Sequence, residues 1–247
     1  MRNTILLSVA SLLITLATAQ TQDKYKIEIK LKNNNDTVIY LANYYGDKTY
    51  LADTAYVKGK GNFLFEKNEE LDGGLYIIVN QSKKSMFEFL VPHSPDFKFE
   101  AEAPEYVSTM KVQNSQENLL FYDYLRFSGS LYDQVKPLND RLRNMDKEND
   151  SIQILRDQIK LVNEKMNDYK EAFMQEYPET FLASFFGLIK EAAIPDTLLT
   201  LPDGSKDSTW PYRYYKAHYW DAVDLTDDRL VRTPVFYKKL DTYFDKV

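Results

Sequence analysis

Residues 25–31 read YKIEIKL. Tyr25, Ile27, Ile29 and Leu31 fall on one side of an extended chain, and Lys26, Glu28 and Lys30 fall on the other. A period of two with one apolar and one charged face marks a half-buried strand of an antiparallel sheet. The segments that follow are of the same kind: TVIYLANYY (37–45), TYLADTAYVK (49–58), NFLFE (62–66), LYIIV (75–79), SMFEFLV (85–91), FKFEAE (97–102) and YVSTMKV (106–112). Turn signals NNND, GDK, GKG, LDGG and QSKK stand between them. Short strands at regular spacing predict an antiparallel β-sandwich over residues 20–112. Gly59, Gly61, Gly73 and Gly74 read as turn glycines that supply positive φ.

Beyond Asn114 the period becomes 3.6. Asn114 and Glu117 have the spacing of a capping box before QENLLFYDYLRF. Gly129 is expected to interrupt that helix. Leu131, Val135, Leu138, Leu142 and Met145 then step by four and three, with Pro137 predicting a kink among them. After a polar break at DKEND (146–150), Ile152, Leu155, Ile159, Val162, Met166, Tyr169 and Phe173 form an a/d seam. It should stop before Pro178, because the residue preceding proline leaves the helical region. Two adjacent seams joined by a short loop bury each other as a long antiparallel helical hairpin, or pair with a second copy in a dimer. ETFLASFFGLIKEAA (179–193) is apolar nearly all round and predicts a buried helix. WPYRYYKAHYWDAV (210–223) predicts another, and Thr233-Pro234 supplies a cap and first helical residue for VFYKKLDTYFDK (235–246). The expectation is an α+β chain with an all-helical domain over residues 113–247.

Composition closes off much chemistry. Among 247 residues there is no cysteine, which removes disulfides, thiolate nucleophiles, iron–sulfur clusters and redox dithiols. With only two histidines, His93 and His218, sites built on several imidazoles are not expected, and the residues call for no metal or cofactor. The net charge of −6 offers no basic face for nucleic acid. Arg2, the short apolar run ILLSVASLLITL and Ala17-Thr18-Ala19 have the layout of a secretory signal over residues 1–19, cleaved near Ala19. That run is too short to span a bilayer, which takes roughly 20 apolar residues. A periplasmic or extracellular chain that does not span the membrane is therefore expected.

The stretch HYWDAVDLTDDRLVRTP (218–234) holds the candidate interaction residues Trp220, Asp221, Arg229 and Arg232. His218 and Asp221, three apart, read as a surface pair or as part of a catalytic dyad, and the dyad lacks a nucleophile. Thr226 is placed to cap a short helix with Asp227 and Asp228 in its first turn. Arg229 and Arg232 then share a face and can clamp carboxylates within the chain or on a partner. Two aromatic clusters offer platforms for a glycan or peptide: Tyr40, Tyr44, Tyr45, Tyr50 and Tyr56, and Trp210, Tyr214, Tyr215, Tyr219 and Trp220. His93, between Pro92 and Pro95, reads as a turn residue.

Two segments resemble known sequences. The paired strands, the Asp53-Thr54-Ala55 step and the Gly61-x-Phe63-x-Phe65 strand are similar to an uncharacterised N-terminal β-domain of envelope thioredoxin-like thiol–disulfide interchange proteins of Gram-negative bacteria. NSQENLLFYDYL, Tyr219-Trp220-Asp221 and Arg229-Leu230-x-Arg232-Thr233-Pro234 resemble the helical domain of unknown function that follows it there. In such proteins a C-x-x-C thioredoxin-like domain comes next; this sequence stops at Val247 and holds no cysteine. The resemblance implies a non-catalytic scaffold or partner-recognition module, with a thioredoxin-like domain or protein as partner and Trp220, Arg229 and Arg232 at that junction.

Overall fold

The structure is a computed structural model that describes residues 25–92, 95–146, 151–197 and 199–247. The signal-like segment 1–19 and His93 lie outside the described residues. The strands are β1 (Tyr25–Lys32), β2 (Val38–Tyr45), β3 (Lys48–Tyr56), β4 (Asn62–Lys67), β5 (Gly74–Val79), β6 (Ser85–Val91) and β7 (Asp96–Glu102). After them come a helical turn α1 (Tyr106–Thr109) and a short strand β8 (Lys111–Gln113). The eighth strand expected over 106–112 is thus split into a turn and three strand residues.

Sheet A has the order β4-β1-β7-β8 and sheet B the order β3-β2-β5-β6. The alternation of YKIEIKL is realised fully: Tyr25, Ile27, Ile29 and Leu31 are buried, and Phe63, Phe65, Phe97 and Phe99 line up beside them. Phe87 and Phe89 of β6 meet Phe97 and Phe99 of β7 across the gap, with ring centroids 5.1–6.2 Å apart. Sheet thus packs on sheet, the sandwich expected. One pairing departs from the antiparallel expectation: β1 runs parallel to β7, Ile29 opposite Phe99. Alternation reports that one face of β1 is buried and the other solvated, which usually accompanies antiparallel pairing; it does not fix the direction of the neighbouring strand, which a long-range contact set here.

The helices are α2 (Gln116–Arg143), α3 (Ser151–Glu176), α4 (Phe181–Ile189), α5 (Trp210–Ala217) and α6 (Pro234–Lys246), with a 3-10 turn at Asp228–Arg232. The N-cap of α2 is Ser115, whose hydroxyl accepts from the Asn118 N–H, not the expected Asn114, which sits at φ 63°. Glu117 does not reach back to close a capping box; its carboxylate accepts from the Leu182 N–H at 2.9 Å and so caps α4. Helix α2 runs unbroken through Gly129 and Pro137, against the expected interruption. Pro137 is exposed, so the carbonyl it leaves unpaired faces water.

The two predicted seams are the positions that α2 and α3 turn inward. Leu131, Leu155, Val162 and Phe173 are buried, and the remaining seam residues are half-buried between exposed neighbours. Phe127 of α2 stacks on Tyr169 of α3 at 4.5 Å, as an antiparallel hairpin requires. Helix α3 ends at Glu176, before Pro178. Helix α5 is shorter than predicted: it closes at Ala217, and residues 218–222 form turns. Among the described residues no helix is long and apolar enough to cross a membrane.

The helical layer lies on sheet B. The 3-10 turn packs on β2 and β5, α6 packs on β2, and α2 packs on β6. Leu75, Leu90, Leu182 and Leu230 are buried at this contact, and one apolar cluster continues from both sheets into α2, α3, α4 and the 3-10 turn. Large apolar side chains removed from water contribute roughly 1.5–3 kcal/mol each, so this contact is a principal source of stability.

Candidate functional site

Arg229 and Arg232 hold the sheet and the helices together. Arg229 donates from Nε and an η nitrogen to the two oxygens of Asp227, both at 2.8 Å, and its guanidinium lies 4.9 Å from the Phe181 ring centroid. Asp227, not Thr226, caps the 3-10 turn by accepting from the Arg229 N–H. Thr226 instead bonds back to Asp224. Burial alone would raise the Asp227 pKa, but hydrogen bonds from Arg229 and Ser184 and the guanidinium charge outweigh it and hold the carboxyl below its ordinary value. Arg232 pairs with Asp72 at 2.7 Å and donates to the Gly73 carbonyl at 3.2 Å. The glycines of LDGG make this fit. A Cβ on Gly73 would stand 2.7 Å from Arg229 Cγ, and one on Gly74 would stand 2.5 Å from Arg232 Cβ. Gly73 is needed for close approach and not, as its turn position suggested, for positive φ.

Trp220 packs edge-on to Tyr219 and Tyr243, at 5.1 and 5.6 Å, and is half-buried. Asp221 is exposed and bonds His218 Nδ1 at 2.6 Å, the pair the spacing predicted, here in a turn following α5. The structure therefore does not gather Trp220, Asp221, Arg229 and Arg232 into one site: the arginines face sheet B, while Trp220 and Asp221 lie beyond the end of α5. A cavity of about 340 Å³ adjoins His218, lined by Lys190, Glu191, Tyr214 and Asp221 among others. It holds an acid–base pair but no serine, threonine or thiol to activate. The Tyr214 ring lies between Trp210, at 5.1 Å, and His218, at 4.1 Å, so neighbouring rings take up the stacking this cluster could offer. Among the described residues no group of His, Asp and Glu is placed to hold a metal.

The outer faces of the two sheets differ sharply. Sheet A presents Lys26, Lys30, Lys32 and Lys98, and each is paired with Glu28 or Glu100. Hydrogen bonds from Lys32 and Lys30 hold the Glu100 carboxyl down at about 2. Sheet B presents Tyr40, Ala42, Tyr44, Leu51, Ile77 and Val79 instead. The helical layer roofs one end of this face; among the described residues the other end is left open and forms a cavity of about 310 Å³. Lys83 lies over the Tyr40 ring at 3.5 Å on its rim. The Tyr44 hydroxyl donates to Glu88, and burial together with that bond pushes its pKa up. Leu51 is 65% exposed, and Tyr45, Tyr50 and Tyr56 are 58%, 49% and 71% exposed. Leu51, Ile77, Val79 and Lys83 were not singled out from the sequence, although a signal existed: LYIIV is apolar at every position, so both of its faces must meet apolar surface.

Residues 25–121 match the model of a family described as a domain of unknown function (DUF4369). The match runs from β1 into α2 and ends just past Asn118, the helix residue that bonds the outer edge of β6. No curated protein matches the chain.

Proposed function

We propose that this chain is a non-catalytic, exported recognition module that works beside a thioredoxin-like thiol–disulfide interchange protein in the cell envelope. The observation that carries the reading is the contrast between the sheets. One outer face is covered with paired charges, whereas the other is apolar and half open. An open apolar surface rimmed by polar groups is the form of a contact site. The absence of cysteine assigns electron transfer to the partner. Arg229 and Arg232 are engaged within the chain, so the contact falls on the open end of sheet B. The test is calorimetric titration of the purified protein with a C-x-x-C thioredoxin-like protein, beside an insulin-reduction assay. Saturable binding that Leu51→Glu abolishes, with insulin reduced only when the thioredoxin-like protein is present, supports the proposal. Insulin reduction by this chain alone, or no binding, overturns it.

A second reading rests on the exposure of Tyr45, Tyr50 and Tyr56. Exposed rings stack on sugars and peptide groups, which would make the chain a glycan- or peptide-binding protein. Retention on a glycan array, lost on Tyr50→Ala and Tyr56→Ala, selects it.

A further inference from the structure

We infer that the open end of sheet B binds an extended, acidic segment of a partner polypeptide, which adds to the free edge of β3 as a further strand. This rests on the reading of the chain as a recognition module, and it names the chemistry recognised.

The sheet edges are treated differently. On β6, the Asn118 carboxamide bonds both the N–H and the C=O of Leu90, and the Tyr122 hydroxyl bonds the Glu88 carbonyl. On β3, Lys67 meets the Ala52 carbonyl and the Asp53 carboxylate meets the Thr54 N–H, but nothing comparable covers Lys48–Leu51 among the described residues. The loop between β2 and β3 has two residues, Gly46 and Asp47, and closes on the Tyr45–Lys48 pair. Such loops close on a hydrogen-bonded pair, so Thr49 and Leu51 turn their N–H and C=O outward. An extended peptide is the ligand that satisfies a row of alternating donors and acceptors.

Two further observations specify the peptide. The side chains of Thr49 and Leu51 line the open cavity. That cavity continues the apolar strip of β2 and β5 which the helical layer covers at its other end. A new strand would extend the same strip with apolar side chains at alternate positions. The charges are also uneven. Lys83 lines the cavity and Lys84 is next to it in the chain, and neither is in an ion pair among the described residues, whereas every lysine named on the outer face of sheet A is paired. In a chain of net charge −6 this is a local basic rim, and it complements acidic residues.

The test uses the full chain and a fluorescein-labelled decapeptide of alternating valine and glutamate. Fluorescence anisotropy should show saturable binding. Lys83→Glu with Lys84→Glu should weaken it at least tenfold and confer binding of the valine–lysine counterpart. N-methylation at alternate peptide nitrogens, which removes donors from one edge only, should abolish it. Equal binding of the N-methylated peptide, or capture of phosphatidylglycerol vesicles without capture of the peptide, overturns the inference. If a thioredoxin-like protein binds and the decapeptide does not, the inference fails while the recognition role stands. If the decapeptide binds and no thioredoxin-like protein does, the inference holds and that role is rejected.

Discussion

The side-chain amide of Asn118 pairs with the backbone of Leu90 as a neighbouring strand would: Oδ1 accepts from the Leu90 N–H at 2.8 Å and Nδ2 donates to its carbonyl at 2.7 Å. Asn118 is fully buried. Its second Nδ2 hydrogen and its own N–H go to the Ser115 hydroxyl, at 3.0 and 3.2 Å. One residue thus finishes the edge of sheet B and fixes the start of α2 against it.

Asn118→Ala should leave two buried backbone groups without partners. Each such loss costs about 1–3 kcal/mol, so urea denaturation should show a fall in stability of roughly 2–6 kcal/mol. Asn118→Asp, which can accept but not donate, should also be destabilising. A change under about 1 kcal/mol in the alanine variant would mean that water replaces the amide.

Two helical glycines should respond with opposite signs. A Cβ on Gly187 would stand 2.2 Å from the Ala222 carbonyl oxygen, where α4 crosses the turns after α5. Gly187→Ala should therefore force the backbones apart and lower the thermal midpoint by several degrees. A Cβ on Gly129 meets nothing within 4 Å. Gly129→Ala in α2 should stabilise by about 0.5–1 kcal/mol, since alanine restricts the unfolded chain and favours helix. Calorimetry of the two variants checks both signs.

Acid should loosen the contact of the 3-10 turn with α4. The folded pKa of Asp227 is depressed, so its contribution is complete above the unfolded value of about 4 and disappears as pH falls through the folded value. Urea midpoints of the wild type should drop between pH 4 and 2. Asp227→Asn should begin lower at pH 7 and fall less steeply, and parallel curves would exclude this carboxyl as a source. Arg229→Ala should be costlier at pH 7, because it strands a carboxylate whose side chain is only 7% exposed.

Alkali should act through Tyr122. Burial raises its pKa first of all, and the nearby Glu88 charge adds to the rise. A folded pKa above the unfolded value means that stability is complete below about pH 10 and is lost as pH rises further. Tyr122→Phe should lose about 1 kcal/mol at pH 7 with its bond to the Glu88 carbonyl, yet show a weaker decline above pH 10. An unchanged alkaline decline would assign the effect to other tyrosines.

The seam Ile152 to Phe173 was legible because an amphipathic helix repeats its buried face every three or four residues, whatever it packs against. Tyr25 to Leu31 were legible for the equivalent reason at period two. Thr233 and Pro234 cap α6 as read, since capping involves only near neighbours: the Thr233 hydroxyl accepts from the Phe236 N–H at 3.2 Å. The same logic failed at Asn114, where Ser115 and Asn118 are equally well spaced and a tertiary partner, Leu90, decides between them. It failed again at Arg229 and Arg232, whose spacing was right but whose destination was open. Nothing within a few residues of Arg232 points to Asp72.

The amino-acid order by itself determined which segments extend, which coil, and which side of each turns inward, because those preferences are set by backbone periodicity and by contacts between close neighbours. The tertiary structure alone decided that β1 lies beside β7, that Gly73 and Gly74 receive two arginines, and that the described residues leave part of the outer face of sheet B uncovered. These depend on which surfaces meet across long sequence separations, where many pairings bury similar apolar area and only simultaneous packing of the whole chain selects one.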